Sequence, residues 1–132
     1  MEKEIKDGAI ELESLGQQIT IRIRENGSFA AGSAFLQPQF EPVIVRIGTV
    51  LADIPGEIEV SGHSDISSIA NKLYRSNWDL SAQRALTVTR VLIEEGMPPS
   101  MVFAAAVGAQ QPAVPNVDSV SRSQNRRVEM AP

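Results

Sequence analysis

Apolar and polar residues alternate at Ile10 and Leu12, and again at Ile19, Ile21 and Ile23, on either side of Ser14-Leu15-Gly16-Gln17. A period of two broken by a turn is a β-hairpin pattern, and it predicts antiparallel strands near 9–14 and 17–24. Asn26-Gly27-Ser28 ends the second strand, and the stretch from Phe29 to Phe35, with Gly32 and several small residues, reads as an irregular loop. From Phe40 onward the spacing changes. Val43, Ile44, Ile47, Val50, Leu51 and Ile54 recur at intervals of three and four, which marks one buried face of a helix of about four turns. Pro42 falls in its first turn, where proline is tolerated, and Pro55-Gly56 stops it. Glu57-Ile58-Glu59-Val60-Ser61 alternates once more, giving a strand that delivers Gly62-His63-Ser64-Asp65 to its carboxyl end. Ligand sites gather at such ends on sheets crossed by helices.

The segment Ile66 to Ser76 follows neither period and reads as an insertion loop. Ser81 is placed to cap a helix carrying Ala82, Ala85, Val88 and Leu92 on one face, with Gly96, Pro98 and Pro99 at its end. Met101 to Val107 is a short apolar run between Pro-Pro and Gly108, which predicts a central strand. Gln110 to Asn125 lacks periodicity and reads as a loop, and Arg126 to Met130 alternates as a last strand. Hairpin, helix, strand, helix, strand, loop and strand make an α+β plan, with two main helices on one face of a mixed sheet. The pattern leaves the strand order open.

Composition narrows the classes without naming one. A chain of 132 residues holds one domain and one core. With 42% hydrophobic and 21% charged residues it belongs with folded proteins. Sixteen acidic against twelve basic residues give a net charge of −4, which argues against a polyanion such as nucleic acid as partner. The absence of cysteine excludes disulfides, thiol nucleophiles and thiolate metal sites. Met1 to Asp7 lacks the apolar core of a signal peptide and looks more like a charged linker than a natural beginning, so a piece of a longer protein is expected.

Catalysis is poorly served. There is one histidine, His63, and no Gly-x-Ser-x-Gly elbow to present a serine on a sharp strand-to-helix turn, so a hydrolase triad is poorly supported. His63 and Asp65 have no second ligand cluster with which to hold a metal, and no cofactor is indicated. Arg84 says more. If Ser81 caps the helix, Arg84 sits in its first turn, where the macrodipole disfavours a cation by about 0.3–1 kcal/mol, and an anion should compensate. That anion is either Asp79 or Asp65 in an ordinary salt bridge, or an external carboxylate held by the guanidinium fork. In the second case Asp65 is free to take an ammonium on the same ligand, and the pair selects a zwitterion, because a buried charge left unpaired costs several kcal/mol. Ser64 and Asn77 offer a hydroxyl and an amide beside these charges, and read blandly they are loop and turn formers. In Asn125-Arg126-Arg127-Val128, adjacent strand residues point to opposite faces, so one arginine faces the site and the other is solvated.

Four motifs occur in the order seen in OmpA-like peptidoglycan-binding domains: Gly62-His63-Ser64-Asp65, the Asn-x-x-Leu-Ser-x-x-Arg-Ala run from Asn77 to Ala85, Gly108 followed by Pro112, and Asn125-Arg126-Arg127-Val128. The chain resembles that family over about residues 17 to 131, with 1–16 as a lead-in carrying the first hairpin strand and 17–132 as the domain. Ser-Asn-Trp-Asp-Leu-Ser, the loop through Phe29 and Gly32-Ser33-Ala34, and the long stretch between Asp65 and Asn77 make it most similar to the periplasmic part of MotB or PomB flagellar stator subunits. The resemblance implies a two-layer sandwich and a non-catalytic, periplasmic cell-wall anchor that binds the meso-diaminopimelate of peptidoglycan stem peptides. By position, Asp65 meets its ammonium and Arg84 its carboxylate, with Ser64, Asn77 and Arg126 as secondary contacts. It also implies a homodimer, a MotA or PomA type membrane subunit as partner, and possible contact with flagellar ring proteins. The competing expectations are an outer-membrane tether for the same ligand and an enzyme acting on peptidoglycan. Two features depart from the family: Ser64 stands where threonine is usual, and Ala30-Ala31-Gly32-Ser33 carries few polar side chains. The second leads us to expect weak binding until the 1–35 region rearranges.

Overall fold

The computed structural model describes residues 9–15, 18–25, 27–30, 33–53, 56–65, 77–108 and 113–131. The charged lead-in over 1–8, Gly16-Gln17 of the hairpin turn, Ala31-Gly32, Ile54-Pro55 and the 66–76 insertion lie outside the described residues. β1 (Ile10–Leu15) and β2 (Gln18–Arg24) form the expected antiparallel hairpin, in a register that pairs Ile10 with Ile23 and Leu12 with Ile21. Alternation sends Ile10, Ile21 and Ile23 into the core and turns Glu11, Glu13, Arg22 and Arg24 to the other face. A 3₁₀ turn at Pro38–Phe40 leads into α1 (Glu41–Ala52), whose Val43, Ile44, Ile47 and Leu51 are buried. Val50, grouped with that face by spacing, is 51% exposed at its edge.

β3 (Ile58–His63) follows, then α2 (Asn77–Glu94). The predicted start of α2 is a turn too late. Ser81 lies inside the helix, and its hydroxyl donates to the Trp78 carbonyl at 3.0 Å instead of capping. Asp79 occupies the true first turn, where a carboxylate suits the macrodipole. The other end behaves as expected. Gly96, at φ +114°, takes the left-handed conformation, and its N–H and that of Met97 donate to the carbonyls of Ile93 and Leu92, both at 3.1 Å.

After a 3₁₀ turn at Pro99–Met101 come β4 (Val102–Gly108), a short helix α3 (Ser119–Asn125) and β5 (Arg127–Ala131). The sheet order is β1-β2-β5-β3-β4, antiparallel except for the β3/β4 pair. Two expectations are corrected here. β4 is an edge strand, not a central one, because β5 returns between β2 and β3 and takes the centre. The 110–125 stretch is not all loop: Asp118 accepts from the Ser121 N–H at 2.8 Å while the Ser121 hydroxyl accepts from the Asp118 N–H at 2.9 Å, a reciprocal cap that starts α3. Seven residues are too few for a helical period to be visible, and Asp-x-x-Ser was the signal available.

The two long helices cover one face of the sheet, and the core lies between, built from Ile21, Ile23, Val60, Val128 and Met130 below and Ile44, Ile47, Val88 and Leu92 above. At one point there is no side chain between the layers. A Cβ on Gly62 would lie 2.0 Å from the Ser81 carbonyl oxygen, so α2 rests on the backbone of β3. Gly62→Ala therefore forces helix and strand apart. We expect a loss of about 3 kcal/mol, the upper end of overpacking costs, measured as a lowered urea midpoint. An unchanged midpoint would show that α2 can shift without cost.

Candidate binding site

Three strand ends share one rim. The antiparallel pairing of Arg24 with Arg127 places Glu25, just after β2, opposite Arg126, just before β5, and the Glu25 N–H donates to the Arg126 carbonyl at 3.0 Å. β3 joins the rim through the pairing of His63 with Arg127, so that Ser64 and Asp65 emerge beside Arg126. The Ser64 N–H donates to the Gly108 carbonyl at 2.8 Å, which fixes this exit against the end of β4. α2 brings Arg84 in from above.

These residues form a row of alternating charge. Arg126 Nη1 lies 2.5 Å from Asp65 Oδ2, Arg126 Nε lies 3.1 Å from Glu25 Oε1, and Arg84 Nη2 lies 2.6 Å from Glu25 Oε2. Arg84 Nε donates to the Ser33 carbonyl at 2.8 Å, and its guanidinium carbon sits 5.1 Å from the centre of the Phe29 ring. Arg84 and Asp65 are 2% and 4% exposed, so neither charge is sustained by water. Each needs its neighbour, since stranding one partner of a buried pair costs about 3–5 kcal/mol. The Glu25–Arg84 contact is close but poorly directed: Glu25 Oε2 and Arg84 Nη2 are both buried and neither is aligned for a hydrogen bond.

The candidate residues fall out as follows. Asp65, Arg126 and Arg84 are brought into one row, and Ser64 stands next to it, buried, its hydroxyl without a hydrogen-bond partner among the described residues. Asn77 opens α2. The dipole argument for Arg84 is overturned, because the residue lies two turns inside a helix that starts at Asn77. Its anionic partner is Glu25, which no motif or periodicity in the sequence singles out. Trp78 is not a core residue. It is 47% exposed, and its indole lies over Gly108, where a Cβ would come within 3.1 Å of the ring.

The second arginine of the pair is not solvated either. Arg127 is 5% exposed on the face of the sheet away from α1 and α2, where Nε donates to Glu129 Oε2 at 2.7 Å and Nη1 to the Asn125 carbonyl at 3.0 Å. Glu129 also accepts from Arg22 Nε at 2.8 Å and lies 3.6 Å from His63 Nε2, and the same nitrogen is 2.9 Å from the Ser61 hydroxyl. Arg22 and Arg24 pair further with Glu13 and Glu11. Asn125, fully buried, holds the preceding segment by accepting from the Ala113 and Val114 N–H groups at 2.8 and 3.1 Å and donating to the Val114 carbonyl and Asn116.

Fold and site define a two-layer α+β domain with a buried charge cluster at the rim of its sheet. The chain belongs to the OmpA family, whose model matches residues 28–126. It is 35% identical over 98% of its length to Motility protein B of Bacillus subtilis (strain 168), covering 52% of that protein. Among solved structures, the cell wall anchor of the T6SS from Pseudomonas aeruginosa superposes with a TM-score of 0.90 at 32% identity, over 98% of this chain and 91% of that one. The periplasmic domain of Helicobacter pylori MotB does so with a TM-score of 0.82 at 27% identity, over 92% and 80%. The chain spans about half the length of the curated relatives it matches. The resemblance read from the four motifs is thus borne out at the level of family and fold. Among the described residues no helix is long and apolar enough to cross a membrane.

Glu129 supplies a pH prediction. Burial acts to raise its pKa, but the bonds from Arg127 and Arg22 outweigh it and hold the carboxyl below its ordinary 4.5. A depressed folded pKa gives stability that is present above the unfolded value and lost as pH falls through the folded one. The parent should lose stability below about pH 4.5, and Glu129→Gln should be less stable at pH 7 by about 1–3 kcal/mol with a flatter acid limb. Parallel acid limbs in urea titrations would remove Glu129 as a contributor.

Proposed function

We propose that this chain is a non-catalytic anchor that binds peptidoglycan in the periplasm, as the cell-wall-facing part of a flagellar stator subunit. The observation that carries the reading is the burial of Asp65 and Arg84 in one charge row at the sheet rim, beside a Ser64 hydroxyl that has no partner among the described residues. Opposite charges held out of water suit a ligand that brings an ammonium and a carboxylate together. The meso-diaminopimelate of a stem peptide ends in that pair. Asp65 takes its ammonium, Arg84 its carboxylate, and Ser64, Asn77 and Arg126 make the secondary contacts. Similarity to Motility protein B and to MotB periplasmic domains supports the stator assignment. A homodimer and a MotA-type membrane partner belong to the same proposal.

A specific observation favours a second reading of what is anchored. The superposition on the T6SS cell wall anchor covers 91% of that chain, against 80% for the MotB domain. The ligand is the same in both readings, and loss of motility or loss of secretion on deleting the gene separates them.

The site is tested by sedimentation with purified sacculi. Asp65→Ala and Arg84→Ala should each lower binding at least about tenfold, given the cost of an unpaired buried charge, while circular dichroism shows both variants folded. Lysine-type sacculi, which lack the side-chain carboxylate, should bind more weakly than diaminopimelate-type sacculi. Equal binding by parent and both variants would sink the site assignment, and release of soluble muropeptides would sink the anchor reading.

A further inference from the structure

The charges proposed to receive the ligand are already paired with two side chains of opposite sign. Arg126 places a cation on Asp65, and Glu25 places an anion on Arg84. The two are joined to each other, side chain to side chain at 3.1 Å and backbone to backbone at 3.0 Å. Together they are an internal zwitterion seated across the two charges that an external one would use. We propose that Glu25 and Arg126 are specificity-determining residues that a ligand must displace, so that the site admits molecules carrying ammonium and carboxylate at matching separation and rejects those carrying one charge.

The argument is one of charge balance in a buried place. Asp65, Arg126, Glu25 and Arg84 sum to zero. A zwitterion that displaces Arg126 from Asp65 and Glu25 from Arg84 leaves the Glu25–Arg126 pair intact and the sum unchanged. A lone carboxylate at Arg84 pushes Glu25 aside and leaves an excess negative charge next to Asp65, which has water access of only a few per cent. The exchange is feasible because Glu25 holds Arg84 badly: the 2.6 Å contact lacks hydrogen-bond alignment, so a carboxylate free to adopt the bidentate geometry gains directed bonds that Glu25 does not make. Arg126 is also the less buried arginine, its side chain 30% exposed against 3% for Arg84, so it can swing outward while Arg84 stays. Glu25 directly follows β2, within the 1–35 region, which gives the weak binding expected there a residue and a mechanism.

This inference rests on the zwitterion reading of the site, and the experiment separates the two. A soluble muropeptide ending in meso-diaminopimelate, and the same peptide N-acetylated on its terminal ammonium, are titrated by calorimetry. The chain's one tryptophan, Trp78, half exposed over Gly108 beside Ser64, gives a fluorescence readout in parallel. Glu25→Gln removes the competing anion and should bind the free peptide about tenfold tighter, the scale of one charge-assisted bond no longer surrendered on binding. It should also narrow the preference for free over acetylated peptide. Glu25→Asp, too short to reach both arginines, should move affinity the same way and serves if the glutamine variant is unfolded. Parent binding that is lost in Arg84→Ala but unchanged or weakened in both Glu25 variants overturns the inference and leaves the site assignment standing. No binding by the parent or by either Glu25 variant overturns both.

Discussion

The contact on which the rest depends is between a glycine and a carbonyl. Gly62 offers no side chain, so α2 lies directly on β3 at Ser81. Once that point is set, the helix repeat decides what its neighbours reach. Trp78, three residues earlier on the same stripe, lies over Gly108 at the end of β4. Arg84, three residues later, is carried over the rim where β2, β3 and β5 end, and meets Glu25 and the Ser33 carbonyl there. Ala85, Val88 and Leu92 continue the buried face into the core. One close approach thus fixes both the packing of α2 and the depth at which its arginine is held. A side chain at 62 would lift the helix and take Arg84 out of reach of its partners.

Held at that depth, Arg84 imposes a second constraint. A guanidinium 2% exposed must be paired, and the structure pairs it through a row in which each charge is flanked by opposite ones. Such an arrangement contributes little net stability compared with apolar packing of the same volume, because desolvation offsets most of the attraction. For the proposed ligand it would supply selectivity, since an intruding group would have to preserve the alternation. The opposite face of the sheet has a different character. Arg22, Arg24, Glu11 and Glu13 there are 24–37% exposed, and their pairs are open to screening by salt and water. The same residue types form open pairs along β2 and a buried row at its end.

Periodicity made legible the elements whose apolar residues carry it. The hairpin, α1 and β3 are where the alternation of Ile10 to Ile23, the three-and-four spacing from Val43 and the alternation of Ile58 and Val60 place them. The first turn of α2 was hidden because Asn77-Trp78-Asp79 carries no periodic apolar residue, and Ser81 looks like a cap whether or not it is one. The place of β4 was hidden because an apolar run such as Met101 to Val107 reads the same at an edge lying under a helix as at the centre. Asp65, Ser64 and Arg84 stand out in the sequence through Gly62-His63-Ser64-Asp65 and the run from Asn77 to Ala85, while the dipole argument for Arg84 fails because the helix begins at Asn77. Glu25 does not stand out. Its partner Arg84 is far along the chain, and only the pairing of β2 with β5 shows that the end of the hairpin faces the start of the last strand.

The loop before α1 shows why a site can be built without side chains at one wall. Ala30 and Ser33 are too small to reach across the rim, yet the loop is tied down by Ala30 N–H to Phe35 carbonyl at 3.0 Å and Gln37 N–H to Ser28 carbonyl at 2.8 Å. Those bonds turn the carbonyls of Ser33 and Ala34 toward α2, where Arg84 Nε and the Thr87 hydroxyl donate to them at 2.8 and 3.1 Å. A side chain in this wall would have to fit between loop and helix. A backbone carbonyl needs no room, holds Nε, and leaves the outer edge of the guanidinium to a carboxylate. The small side chains of Ser33 and Ala34 are therefore consistent with the anion site proposed at Arg84, because they let the main chain come close enough to hold the cation from behind.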